Sequence, residues 1–545
     1  WSSGHATKAI QIVNLTEDTL SFGSTIQHDF NPRRGSLMSG HYVSLSGQEL
    51  LVHSTEAGLE NPLVVRLPLA WRADRVVPFD DFLIQVEDGE TGWNYWNGFA
   101  FSRLGFYAAS ESRLRITTIN DPDTLLEEIP LGQGRVVGVT QKNSRLYLAQ
   151  LIAATDTTPQ RLRTLALELG SPPTVTEVGR SEHDLTGLNF YSMNFDAVQP
   201  HWMSESSLVW FIPMQTQRFF WGPIWLDVPV ISLPVINLPG INLPEAGVSS
   251  SVNKGLVTAK QTLRPATMNP AAVLCPVQVS DSSLVAGTAL TVAVNGNLRN
   301  VSAAHSAEGF LFFSYDTGFE KRVAKPVTSA ARPLIPYAPA ESRLASWLQV
   351  IDWRSASPTL RDPVSIPGQL LSVTDVDAQG AVLLTQRNQR ISSEEASSRS
   401  IQASGYDGVT AWLLDSYITA TRYHLASVAS AGRVYLARDG DNHGVVGIAY
   451  NPTTGRLSQI STWTTNETPQ MLSVNRGHLI ASSFGNLELA GLTPASGQIN
   501  PLASYETPTN LWLQVNRAVI TPALDIWIPA GDYGVEFLQH DVLAP

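Results

Sequence analysis

The 545-residue chain contains a single cysteine, Cys275. One thiol excludes a disulfide framework and any zinc or iron–sulfur site built on several cysteines. Charge is scarce too: 15% of residues are Asp, Glu, Lys or Arg, and the formal net charge is −12. Arg33–Arg34 and Lys321–Arg322 are isolated basic pairs and no larger cluster occurs. A phosphate-reading face needs clustered Lys and Arg, so nucleic-acid binding is not expected. Catalytic signatures are missing as well, with no G-x-S-x-G elbow and no glycine-rich phosphate loop. The lone thiol sits in AAVLCPV, an apolar setting that raises a thiol pKa instead of activating it.

The chain also lacks a run that could cross a membrane as a helix. Its most apolar stretch, at 219–247, reads FFWGPIWLDVPVISLPVINLPGINLPEAG. Pro229, Pro234, Pro239 and Pro244 recur every fifth residue, and Asp227 is the only charge before Glu245. Proline removes a backbone donor and clashes with the preceding turn, which rules out a spanning helix and a central strand. Two readings remain: an extended, polyproline-like segment folded over its own domain, or one buried in a partner.

What is present is a globular composition, 43% hydrophobic, arranged in repeated short strands. Val474-Asn475-Arg476-Gly477 is echoed 41 residues later by Val515-Asn516-Arg517-Ala518, each copy following a Thr-Pro pair. A period near 40 residues is that of a four-stranded propeller blade. Weaker copies, a strand and a polar turn before three or four apolar residues, occur at 43–52, 99–109, 136–148, 207–211, 301–313, 373–384, 426–437, 472–481 and 513–521. Strand–turn–strand stretches begin at Leu114, Leu348, Val445 and Leu487, with Asn, Asp, Pro, Ser or Gly in each turn. One segment is ambiguous: Leu162, Leu165, Ala166 and Leu169 have helical spacing, and only the surrounding repeat favours a strand. The expected fold is all-β, a single β-propeller spanning 1–545 with about eight four-stranded blades. Seven blades is the alternative, and two stacked all-β domains the rival. A long apolar, Pro-rich insertion is expected over 215–299. The N-terminal KAIQIVNL is expected to complete the C-terminal blade and so remove an exposed sheet edge.

The stretches from Leu114 and Leu348, an apolar strand, a proline turn and a second strand ending in Ile-Pro, resemble the degenerate repeats of bacterial extracytoplasmic β-propellers. That resemblance implies the fold and a secreted, periplasmic or cell-surface location. It implies no activity, because propellers host many functions. Low Lys with abundant Ser, Thr, Asn and Trp agrees with such a location. The chain begins at Trp1, and removal of an upstream region is expected.

Candidate chemistry is sparse. Asp375-Val-Asp377-Ala-Gln-Gly380 and Asp439-Gly-Asp441-Asn-His-Gly444 alternate carboxylates on a tight turn, as calcium loops do. The same spacing arises where Asp bonds its own backbone. Calcium is therefore the one candidate cofactor. His424, His443, His478 and His540 fall in successive C-terminal units but match no established ligand pattern. The acid pairs Asp80-Asp81 and Glu127-Glu128 would point to opposite strand faces and make no ready glycosidase dyad; the acidic turn at 86–90 is less specific still. Trp93, Tyr95, Trp96, Trp202 and Trp210 suit sugar stacking or blade packing. The chain thus reads as a binding scaffold more than an enzyme, a subunit docking on a protein partner. Its docking residues would be Phe219, Phe220, Trp221 and Trp225, followed by Ile231, Leu233, Ile236, Leu238, Ile241 and Leu243. Such a segment could bury about 1,000 Å² in total. The alternative is a propeller enzyme with an axial site for a glycan or a metal. A third reading, peripheral contact with a membrane, lacks the basic residues that assist it.

Overall fold

The computed structural model describes residues 9–539 except 16–18, 28–31, 47–48, 55–62, 69–70, 90–110, 120, 153–158, 171–173, 187–196, 215–268, 295–296, 319–343, 356, 378–379, 390–397, 423–425, 440–442, 484, 507–514, 522–523 and 532–533. The protein is all-β, and every strand pairing among the described residues is antiparallel. Most strands lie in four-stranded sheets whose members follow one another in the chain.

Eight sheets, five of them four-stranded, succeed one another from residue 75 onward. Sheet 1 comprises Arg75–Phe79, Phe82–Glu87, Glu111–Thr118 and Asp121–Gln133. Sheet 2 comprises Arg135–Lys142, Arg145–Ile152, Arg161–Gly170 and Thr174–Asp184. Sheet 3 is built on Gln199–Ser204, Ser207–Pro213 and Asn269–Val279, with two short outer strands. Sheet 4 centres on Phe310–Gly318 and Leu344–Asp352. Sheets 5, 6 and 7 are four-stranded and begin at Gln369–Thr374, Ser427–Ser430 and Met471–Asn475. Sheet 8 has three strands, Val519–Ile520, Ile526–Pro529 and Val535–Leu538.

The cores lie between consecutive sheets. Val86 and Leu114 of sheet 1 pack with Leu146 and Leu165 of sheet 2. The largest core joins sheets 2, 3 and 4 around Trp210, Phe211 and Phe313, all fully buried. Leu348 meets Leu383 between sheets 4 and 5, and Leu384 meets Leu436 between 5 and 6. Tyr435 packs with Leu479 between 6 and 7, and Leu489 with Ile526 between 7 and 8. The last core joins sheet 8 to sheet 1: Val519 and Trp527 of sheet 8 pack on Val76 and Leu83 of sheet 1. There Ala73 and Gly531 exchange two backbone hydrogen bonds of 3.0 and 2.9 Å. Burial on both faces explains the consecutive apolar residues that mark these strands in the sequence.

The strand at Arg161–Gly170 pairs on both sides, and Leu162, Leu165, Ala166 and Leu169 are all buried. Their helical spacing arises because a strand buried on both faces needs no alternation. The stretches beginning at Leu114, Leu348, Val445 and Leu487 all form antiparallel pairs. The Val474 copy ends a strand and turns through Arg476 and Gly477, both at positive φ. The Val515 copy is a 3-10 turn instead. The two copies interlock, since Asn475 Nδ2 donates to the carbonyl of Ala518 at 2.5 Å.

Two expectations are corrected. KAIQIVNL does not complete the C-terminal sheet: Ala9–Leu15 pairs with Leu20–Gln27 in a two-stranded sheet of its own. A local hairpin forms at far lower closure entropy than pairing across the whole chain, and Ala73 makes the contact with sheet 8 instead. The unit at 43–52 forms a four-stranded sheet, as expected of a repeat unit, from Pro32–Met38, His41–Ser46, Glu49–Ser54 and Leu63–Pro68, ahead of the eight. In addition, residues 269–294, within the 215–299 expected for the insertion, contribute strands to sheet 3.

Candidate functional site

The two strands flanking the Pro-rich segment are partners. Ser207–Pro213 and Asn269–Val279 pair from Ser207↔Gln278 to Pro213↔Ala272, and the Met214 N–H donates to the Ala271 carbonyl at 2.8 Å. Residues 215–268 therefore stand where a hairpin loop of two to five residues would suffice. The strands at this root are already complete: Val209–Ile212 and Ala271–Cys275 are fully buried. The ten docking residues expected between Phe219 and Leu243 lie outside the described residues.

The two DxDxxG motifs occupy opposite ends of their sheets. The first lies between the first and second strands of sheet 5, the second between the second and third strands of sheet 6. In a meander those turns fall at opposite ends, so the motifs are not equivalent. Asp377 closes its own turn: its Oδ1 accepts from the Gly380 N–H at 2.7 Å, and its N–H donates to the Gly380 carbonyl. Asp375 is exposed at positive φ, Asp439 is half-buried and Asp441 lies outside the described residues. Both terminal glycines are required by backbone crowding. A Cβ at Gly380 would strike the carbonyl oxygen of Tyr406, and one at Gly444 that of Trp463. Among the described residues no three His, Cys, Asp or Glu side chains gather closely enough to hold a metal ion. Of the four C-terminal histidines, His443 and His478 are described, and His424 and His540 are not.

Cys275 is fully buried in sheet 3, and burial pushes its thiol pKa up to about 12. Trp210 is likewise core, its Nε1 donating to Thr164 Oγ1 at 3.0 Å. Trp202 packs edge-on to Tyr147 at 5.1 Å with Lys142 Nζ 4.3 Å above its ring. Trp93, Tyr95 and Trp96 lie outside the described residues. Asp80 and Asp81 form the turn between the first two strands of sheet 1, and Glu128 is ion-paired to Arg115 at 2.8 Å. Neither acid pair forms a dyad.

Two neighbouring histidines share a lowered pKa. His201 of sheet 3 and His305 of sheet 4 neighbour one another, and the Nε2 of each is buried without a hydrogen-bond partner. Burial lowers both pKa values to about 4, with the charge of His305 adding to the effect at His201.

The densest gathering of charge lies where sheet 8 meets sheet 1. Arg72 holds Asp74 through two hydrogen bonds of 2.9 and 3.2 Å, and the Asp88 N–H donates to Asp74 Oδ2 at 3.0 Å. Burial would raise the Asp74 carboxyl, but the Arg72 guanidinium and the bonds from Arg72 and Asp88 outweigh it and hold it below its ordinary value. Asp88 lies 3.7 Å from Arg72 and 3.6 Å from Arg135. Arg517, just before sheet 8, donates to the Asp74 carbonyl at 2.9 Å, and Arg75 donates to the Val137 carbonyl of sheet 2 at 2.9 Å. Each of these arginines thus reaches from its own sheet to the next. Beside them, Arg115 bridges Glu87 and Glu128 at 2.9 and 2.8 Å.

Sequence reasoning missed this cluster, although a signal existed. Arg75-Val76-Val77 and Arg135-Val136-Val137 are the same tripeptide, each opening the first strand of its sheet. The acidic turn at 86–90 supplies Asp88.

No helix among the described residues is long and apolar enough to cross a membrane. No protein family matches the sequence, and no curated protein is similar to it. Among solved structures, that of the computationally designed Ika8 protein is similar at 9% identity and a TM-score of 0.40, covering 86% of this chain and 98% of that chain. At that level the likeness bears on neither fold nor function.

Proposed function

We propose that the chain is an eight-bladed β-propeller, with sheets 1–8 as blades, that serves as a binding scaffold. In this reading it is an extracytoplasmic subunit docking on a protein partner through the apolar segment at 219–247. The succession of inter-sheet cores, ending in the contact of sheet 8 with sheet 1, supports the ring. The observation that carries the docking role is the root of the segment. Its ends leave from strand partners, Pro213 facing Ala272 beside the Met214 N–H to Ala271 carbonyl bond, in a sheet that is complete without it. An apolar extension that the fold does not require is retained for contact with something else.

Ile236→Asp with Ile241→Asp tests the role. The double variant should leave the native assembly while keeping the unfolding midpoint of the isolated chain. A drop of several degrees in that midpoint, with the assembly intact, would mean that the segment folds over its own domain.

A further inference from the structure

We infer that the seam between sheets 8 and 1 is a binding site for a doubly charged tetrahedral oxyanion, a phosphate or sulfate group, held between Arg75 and Arg517.

Four guanidinium groups, Arg72, Arg75, Arg135 and Arg517, meet two carboxylates there, Asp74 and Asp88. Both carboxylates are engaged, Asp74 by Arg72 and Asp88 between Arg72 and Arg135. Arg75 and Arg517 form no ion pair among the described residues; each donates one hydrogen bond, to a backbone carbonyl. Arg75 Nε is buried with no hydrogen-bond partner. Arginine has five N–H donors in a fixed fork, so most of their donors remain for a ligand. Both side chains are partly exposed, which leaves a path for one. The electrostatics agree: burial, then the like charges of Arg517 and Arg135, lower Arg75 to about 9 despite Asp88 and Asp74.

Structural stapling between sheets accounts for one hydrogen bond from each arginine. It does not account for two neighbouring cations that form no ion pair of their own, since a buried charge is ordinarily paired. A dianion would balance the two charges of Arg75 and Arg517, which form no ion pair among the described residues, and suits the planar forks that recognise tetrahedral oxyanions bidentately. The site depends on the contact between sheets 8 and 1 and is independent of the docking role of 219–247.

Calorimetric titration of the full chain with inorganic phosphate, at ionic strength held constant with potassium chloride, tests the inference. Saturable one-site binding is expected, shared by sulfate and not by acetate. Arg75→Met and Arg517→Met should each weaken it roughly 10- to 100-fold, the worth of a charge-assisted hydrogen bond. Arginine modification by phenylglyoxal, mapped by peptide mass, reads the same site in the unaltered chain. Phosphate should slow modification of Arg75 and Arg517 and leave the exposed Arg456 unaffected. Absence of saturable binding at millimolar phosphate would overturn the inference. So would binding that both variants retain, or protection that spares Arg75 and Arg517.

Discussion

Trp527→Ala should open the contact between sheets 8 and 1. Trp527 is 1% exposed, stacks on Phe537 at 3.9 Å and packs with Val519 of its own sheet and with Val76 and Leu83 of sheet 1. Truncating a buried tryptophan costs about 3–5 kcal/mol through lost burial and the cavity left behind. The stacked aromatic pair accounts for about 1 kcal/mol of that. The damage should be local, because the cores between the other sheets are separate sets of residues. Hydrogen exchange read by mass spectrometry is the assay. In the wild type the Ala73 and Gly531 amides, bonded to one another's carbonyls, should be protected like sheet interiors. In the variant they should exchange faster by roughly 100-fold or more, while amides of the buried Val209–Ile212 strand stay protected. Ile418→Thr, at a site 69% exposed, is the control and should change stability by less than about 0.5 kcal/mol. Unprotected Ala73 and Gly531 amides in the wild type would refute the reasoning, as would equal effects of Trp527→Ala and Ile418→Thr.

Three further outcomes are expected. Gly138→Ala should destabilise by about 1–3 kcal/mol in urea unfolding, because its Cβ would stand 2.7 Å from Trp210, inside the largest core. Gly444→Ala should cost more, since the new methyl meets the backbone carbonyl of Trp463 at a φ of 147°. Stability should fall as pH drops from 6.5 toward 4. His201 and His305 stay neutral in the folded protein down to about 4, whereas the unfolded chain takes up protons near 6.5. The unfolded state binds more protons across that window, at a cost on the order of 3 kcal/mol per histidine by its lower end. His201→Gln with His305→Gln should flatten this slope in denaturant titrations at pH 4.5 and 6.5; an unchanged slope would assign it to other groups.

Much of the architecture was legible because the strands are buried on both faces. Units at 136–148, 207–211, 373–384, 426–437 and 472–481 each fall within one sheet. The first hairpin of sheet 1 escaped notice: RVVPFDDFLIQVE turns on an acidic pair, Asp80-Asp81, which reads as a surface feature and not as a strand turn. The partner of the N-terminal strand was placed wrongly because an apolar strand near the N-terminus has no mark of its partner. Ala9–Leu15 took the nearest strand, and Ala73 met Gly531. The charge cluster was least legible of all. Its members span 72–88, 135 and 517: the packing of sheet 2 on sheet 1 brings Arg135 to Asp88, and the contact of sheet 8 with sheet 1 brings Arg517. By contrast the glycines of the two DxDxxG motifs were visible, but the backbone crowding that requires them was not. Each accommodates a carbonyl from a neighbouring strand.

The docking claim is tested most directly by the mass of the native particle, measured for the intact chain and for a chain in which 219–247 is replaced by a short Gly/Ser linker. The ends of the insertion already sit on paired strands, so the shortened chain should fold. The account predicts that the intact chain is part of a larger assembly and that the shortened chain is a folded monomer of unchanged unfolding midpoint. Equal masses for the two chains would contradict it.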